Sequence, residues 1–312
     1  MNTSNAKVWA QRQKEREKSL RQLKKGKPKE TVGSSRTQIY AAVLIAALGL
    51  LLVAFGVYFY RQRAAEPALE MSENIITVKA GGDFQAALNR AKAGDTIVLQ
   101  AGAKFVGSFN LPNKVGNEFI TIRTSATNAQ LPPADTRIDP KKYQAVLPKL
   151  SSPTTDPVIL AKEGAHHYRF IGVEFGGTKQ GFYNIIQLGT GEEKQVADLP
   201  HHIEFDRVYI HSTAPEGQRR GIAANGKFVK ITNSHISDIK RKGEESQAIA
   251  IWATDGPVEI VNNYLEAGAE NILFGGATSL LELTPTDCIV RSNHLNKPVE
   301  WRDEGWVVKN LF

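Results

Sequence analysis

The sequence predicts an all-β solenoid, a parallel β-helix with a short helix closing its N-terminal end, preceded by one transmembrane α-helix. Three observations lead there. A run of 22 residues at 39–60 carries no charge. A short stretch near residue 84 has helical apolar spacing. An apolar register then returns five times at spacings of 26 to 35 residues. At 41% hydrophobic residues and 312 positions the chain can bury a sizeable core, and its one cysteine excludes an internal disulfide.

Residues 1–38 hold eleven Lys or Arg against three Glu, so this tail carries +8 of a net +7 and everything after it sums to −1. The basicity therefore belongs to the tail and indicates no nucleic-acid partner for the folded part. Residues 39–60, IYAAVLIAALGLLLVAFGVYFY, reach ~33 Å at ~1.5 Å per residue, enough for a hydrocarbon core of ~30 Å. Tyr40, Tyr58 and Tyr60 lie at the ends of the run, where amphipathic rings favour the headgroup layer. A cleaved signal peptide is the rival reading, but its apolar region would be only ~7–15 residues. Basic residues dominate before the span, which predicts a cytoplasmic tail, a lipid bilayer as partner, and a periplasmic or extracellular main domain. Residues 61–73 read as a linker, and residues 74–312 as the β-helix domain.

Asp83 is placed as an N-cap, followed by Phe84, Ala87, Leu88 and Ala91 at i, i+3, i+4 and i+7, with Gly94 closing the turn. This helix is expected to plug the first coil. The recurring register is YRFIGVEF from Tyr168, IEFDRVYI from Ile203, VKITNSHI from Val229, VEIVNNYL from Val258 and CIVRSNHL from Cys288. A second apolar piece follows each, starting at Ile186, Ile222, Ile249, Ile272 or Val308. Such a unit cannot bury its own apolar side, so it stacks on copies of itself. The insert from Asn128 to Asp156 is Pro-rich and is expected to loop out. No cap appears after Trp306, where the chain stops in mid-repeat, so further coils are expected beyond Phe312.

Three stretches resemble bacterial proteins of the right-handed parallel β-helix, pectin-lyase-like superfamily: GGDFQAALNRAKAGDTIVLQAGAKFVGSFNLPNK, GAHHYRFIGVEF and QAIAIWATDGPVEIVNNYLEAGAENILFGGA. The resemblance covers roughly residues 76–312. It implies the fold but no single reaction, since the superfamily includes polysaccharide lyases, glycoside hydrolases, esterases and non-catalytic adhesins. The polygalacturonase-like Asp-Asp and Gly-His-Gly signatures are missing. NKPVEWR resembles the lyases' RxPxxR pattern, with Lys297 in place of its first Arg.

Stacked coils align equivalent residues into ladders ~4.8 Å apart. The outward row before the last apolar position is Glu174, Tyr209, His235, Tyr264 and His294. It suits stacking against sugar faces, or equally against its own neighbours. Arg219 and Arg220 end one loop, and Lys240, Arg241 and Lys242 sit on the next. Five cations on adjacent loops suit an acidic polysaccharide, although Glu244, Glu245, Glu266 and Glu270 offer local ion pairs. β-Elimination from a uronate needs a neutralised carboxylate and a base. His235 and His211 are the candidate bases, with Arg220 and Lys242 completing the catalytic set. Tyr209, Tyr264, Arg219, Lys240 and Arg241 are the candidate substrate contacts. No cofactor motif is present, and a divalent cation is left open. His166–His167 and His201–His202 are adjacent pairs expected to point to opposite faces, which argues against a shared metal. Cys288 aligns with buried positions, and Asn263, Asn293 and Ser234 align as an internal hydrogen-bonding ladder. Two functions stand side by side: a membrane-tethered protein that binds and cleaves an acidic polysaccharide, and a non-catalytic β-helix that binds glycan or protein.

Overall fold

The computed structural model describes residues 74–312 apart from Phe182, together with Tyr40 and Gly49. The expected tail (1–38), membrane span (39–60) and linker (61–73) otherwise lie outside these residues. Among the described residues no helix is long and apolar enough to cross a membrane.

Each coil contributes up to three short strands, and the strands stack into three parallel sheets of eight, seven and six members. In the five recurring coils the first sheet is built from His166–Ile171, His201–Asp206, Lys227–Thr232, Val258–Val261 and Cys288–Arg291. The second holds Glu174–Phe175, Tyr209–His211, His235–Ile239, Tyr264–Ala267 and His294–Asn296. The third holds Asn184–Leu188, Arg220–Ala224, Gln247–Ile251 and Glu270–Phe274. The eight-residue register is thus two strands bent around a corner, and the following apolar piece is the third strand. Where a fifth such piece was expected at Val308, Lys309 N donates to Gly268 O at 3.1 Å and Asn271 N to Leu311 O at 3.0 Å, with no strand of its own.

The corner has a local cause. Gly172, Arg207, Asn233, Asn262 and Ser292 occupy it with φ between 52° and 61°. Asn tolerates this left-handed region better than most side chains. The next residue turns inward. Ser234 N donates to Asn263 Oδ1 at 2.9 Å, Asn263 N to Asn293 Oδ1 at 2.8 Å, and Asn263 Nδ2 to Ile231 O at 2.8 Å, which is the expected internal ladder. Val229, Ile231, Ile236, Val258, Ile260 and Leu265 are fully buried in consecutive coils. Cys288 is only half-buried, because it lies on the last first-sheet strand.

The predicted cap is present as the helix Phe84–Arg90, with the Asp83 carboxylate accepting from Ala86 N at 2.9 Å. Its Phe84 ring meets Phe109 edge-on at 4.9 Å. The insert does not loop out. Corner residues in the left-handed region turn carbonyls and amides outward, and the insert satisfies them coil by coil. Arg207 donates to Pro132 O at 2.9 Å, Asn233 Nδ2 to Ala134 O at 2.7 Å and Asn262 Nδ2 to Asp135 O at 3.1 Å. Arg137 in turn donates to Asn262 O and Ser292 O at 3.1 and 3.0 Å.

Ile260→Asp buries an unpaired carboxylate between two coils and is expected to cost about 3–5 kcal/mol in urea unfolding of the full chain. Asn263→Ala, which strips the ladder of its middle amide, is expected to cost about 2 kcal/mol. Wild-type midpoints for both variants would contradict this register.

Candidate functional site

The outward row of the second sheet is in register as expected: Glu174, Tyr209, His235, Tyr264 and His294 pair successively. Its rings pack on each other. Tyr209 meets His235 edge-on at 5.6 Å, and His235 stacks on Tyr264 at 4.3 Å. The insert covers the start of this row, where Tyr143, Val146 and Tyr209 pack around Leu131, Ile138, Leu147 and Ile171.

His211 Nε2 bonds the Glu174 carboxylate at 2.8 Å and its Nδ1 bonds Ser212 O at 2.8 Å. Both ring nitrogens are thus engaged within the protein. Glu174 also accepts from Lys149 at 2.9 Å and from Gln144 at 3.1 Å. Burial pushes its pKa up, but the bonds from His211 and Lys149 outweigh this and hold it below the usual carboxylate range. His235 is pushed down to about 4, chiefly by burial, against the pull of Glu266 and Asp139. Tyr264 donates to Glu266 at 2.6 Å.

The five expected cations divide. Lys240 lies 2.6 Å from Asp238 and 4.4 Å over the Trp301 ring, while Lys242 lies 5.2 Å over Trp306. Arg241 is buried, pairs with Glu244 at 3.0 Å and donates to the Gln180 carbonyl. Lys297 donates to the carbonyls of Ala267, Gly268 and Ala269, so it ties the chain down. Its pKa falls to about 8 through burial. Arg302 is exposed beside Asp303.

Arg219 and Arg220 instead reach the outer face of the third sheet. There they line a groove of about 510 Å³ with Tyr183, Asn184, Gln187, Thr190 and Trp252. Thr155, Asp156 and Pro157 edge it on the preceding coil, and Leu273 and Gly275–Ala277 on the following side. The floor follows from register. Gln187, Ala223, Ala250 and Leu273 align across four strands, with Gln187 and Leu273 at the groove and the two alanines fully buried. Asn184, Arg220, Gln247 and Glu270 align beside them. Arg220 Nε donates to Gln247 at 3.0 Å, and Gln247 donates to Glu270 at 2.9 Å. The Arg220 guanidinium lies 5.3 Å from the Trp252 ring, and its pKa is pushed down to about 10, first by burial and then by Arg219. Arg219 Nε and Asn184 Oδ1 are buried with no hydrogen-bond partner among the described residues.

The groove and the ring row therefore lie on different sheets. Sequence reasoning placed Arg219 and Arg220 among the candidates but missed Tyr183, Asn184, Gln187 and Trp252. The available signal was the polar and small residues alternating with the second apolar piece of each repeat.

The two histidine pairs also differ from expectation. His167 and His202 take φ of 56° and 52°, which breaks strand alternation and brings adjacent rings together. Their Nδ1 atoms lie 2.7 Å from His166 Nδ1 and 2.8 Å from His201 Nδ1 respectively.

Fold and groove together define a parallel β-helix protein with an open, cationic and aromatic cleft across one sheet. No protein-family model and no curated protein matches the chain. Among solved structures it is similar to an alginate lyase from Paenibacillus sp. str. FPU-7, at 18% identity over 72% of this chain and 75% of that one, with a TM-score of 0.41. It is also similar to the pectate lyase Pel9A, at 13% identity over 67% of this chain and 52% of that one, with a TM-score of 0.36. Neither likeness assigns a reaction to this chain.

A neutral His235 makes the fold acid-sensitive. Its pKa is about 4 when folded against an ordinary 6.5, so the unfolded chain takes up this proton first as pH falls. The stability held above pH 6.5 is lost as the pH drops toward 4, and His201, also pushed down to about 4 by burial and its histidine neighbours, acts with the same sign. His235→Gln is expected to reduce the loss of melting temperature across this window. An unchanged pH profile would contradict the burial of a neutral ring.

Proposed function

We propose that the protein binds an acidic polysaccharide in the third-sheet groove. The observation that carries this reading is the pairing of two guanidinium groups, Arg219 and Arg220, with Trp252 and Tyr183 in one open cleft. Arg suits bidentate recognition of carboxylates, and flat rings suit sugar faces. An open groove admits a polymer rather than a small enclosed ligand. The ring row of the second sheet, with Tyr209, His211, His235 and Tyr264, is a separate surface. Lys240, Arg241 and Lys242 support the loop between the two.

For β-elimination the base assigned in this groove is Arg220, the cation whose pKa burial and Arg219 push down to about 10. In that reaction Arg219 neutralises a uronate carboxylate and Arg220 removes the proton on the adjacent carbon. The electron pair forms a carbon–carbon double bond as the glycosidic carbon–oxygen bond breaks, and the departing oxygen takes a proton from Tyr183. The backbone holds these residues together, since Arg220 N donates to Tyr183 O at 3.0 Å.

The same reading includes location. Residues 39–60 tether the chain to a bilayer, with residues 1–38 cytoplasmic and the β-helix exported, on the strength of the basic residues before the span. Protease added to intact cells is expected to digest the β-helix domain or its linker and spare the tail. Protection of residues after Arg63 would overturn this topology.

Polygalacturonate and alginate are expected to bind the full chain with an affinity that falls as salt rises, and a neutral glucan not to bind. Arg219→Gln should weaken binding about tenfold, and Trp252→Ala should weaken it with less salt dependence. Unsaturated-uronide absorbance reads the reaction, and Arg220→Gln should abolish it. Binding without product supports the non-catalytic glycan-binding reading. Failure of every acidic glycan to bind overturns the assignment and leaves a protein-binding β-helix.

A further inference from the structure

We propose that His166, His167 and His201, flanked by His202, form a binding site for a borderline transition-metal dication such as Zn²⁺, Ni²⁺ or Cu²⁺. The site stands on the first sheet, away from the groove, and owes nothing to the polysaccharide reading.

Two features of the backbone assemble it. The left-handed φ at His167 and His202 turns each adjacent pair to one side of the strand, with Nδ1 to Nδ1 spacings of 2.7 and 2.8 Å. Coil stacking then superposes the pairs, because His166 and His201 are register partners. His166 lies on His201 with ring centroids 4.6 Å apart and planes within 2°, and His167 lies on His202 at 4.5 Å and 7°. One ring nitrogen from each of His166, His167 and His201 lies within 4.8 Å of the others.

An ion with metal–nitrogen bonds of about 2.0–2.1 Å holds its ligand nitrogens about 2.9–3.4 Å apart. The His166–His167 pair needs to open by a few tenths of an ångström and His201 to close by about 1 Å or a little more, movements open to half-exposed rings. An all-imidazole set favours zinc, copper or nickel over the oxygen-seeking Mg²⁺ and Ca²⁺. The neighbouring charges do not forbid a cation. Lys227 is paired with Asp255 at 2.9 Å and Lys230 with Glu259 at 3.5 Å, while Arg169 is matched by Glu204 at 2.5 Å. Phe119 stands edge-on to His167 at 5.2 Å, and Phe228 stacks on His202 at 4.4 Å, walling the cluster at its two ends.

The competing account is a ladder of imidazole hydrogen bonds that holds no ion. Isothermal titration of the chelator-treated full chain with ZnCl₂ and with NiCl₂ separates the two. One equivalent is expected to bind, MgCl₂ and CaCl₂ to give no saturable heat, and His201→Ala and His166→Ala each to weaken binding at least about tenfold. His294→Ala, on another sheet, should leave it unchanged. Zn²⁺ should raise the melting temperature of the wild type and not of His167→Gln, which keeps a polar side chain in the stack. Absence of saturable binding by both ions, or equal affinity in the wild type and His201→Ala, would overturn the site.

Discussion

Everything in this molecule rests on one constraint: no coil can bury its own apolar side, so each must lie in register on the next. Val229 meets Val258 and Ile231 meets Ile260 because the strands pair parallel with no slip, and both columns are fully buried. A one-residue slip would turn each apolar row outward, so register and core formation are the same event. The left-handed residue at the first corner serves this constraint. It makes a sharp turn in two residues and frees the next side chain, as at Ser234 and Asn263, to link neighbouring coils from inside.

In-register stacking also brings like residues together on the outside. Histidine lies on histidine, and His235 lies between two tyrosines, where burial pushes its pKa down. Aligned cations are less tolerant of one another. The fold disperses them: Lys240 and Lys242 rest against tryptophan rings, Arg241 turns to Glu244, and Arg219 and Arg220 are left at the groove. The chemistry available to the third sheet thus depends on which cations the second-to-third-sheet loops consume.

The insert shows how a solenoid decides which of its faces stay open. By hydrogen bonding along the column of corner residues it covers part of the second sheet's outer face, whereas the groove lies on the third sheet. Which face the insert covers is set by which backbone groups need partners.

Periodicity by itself determined the stacking, the buried columns, the internal amide ladder and the capping helix, because each follows from local spacing and from the need of repeated apolar faces for cover. The charge-free run at 39–60 is a feature of the sequence alone. The groove, the course of the insert and the meeting of the histidine pairs were decided by tertiary structure. Arg220 and Trp252 are 32 positions apart and meet only because two coils stack, and Arg137 finds Ser292 across 155 positions. The histidines were misread for a local reason: strand alternation assigns neighbours to opposite faces, and only the backbone dihedrals at His167 and His202 reverse that rule.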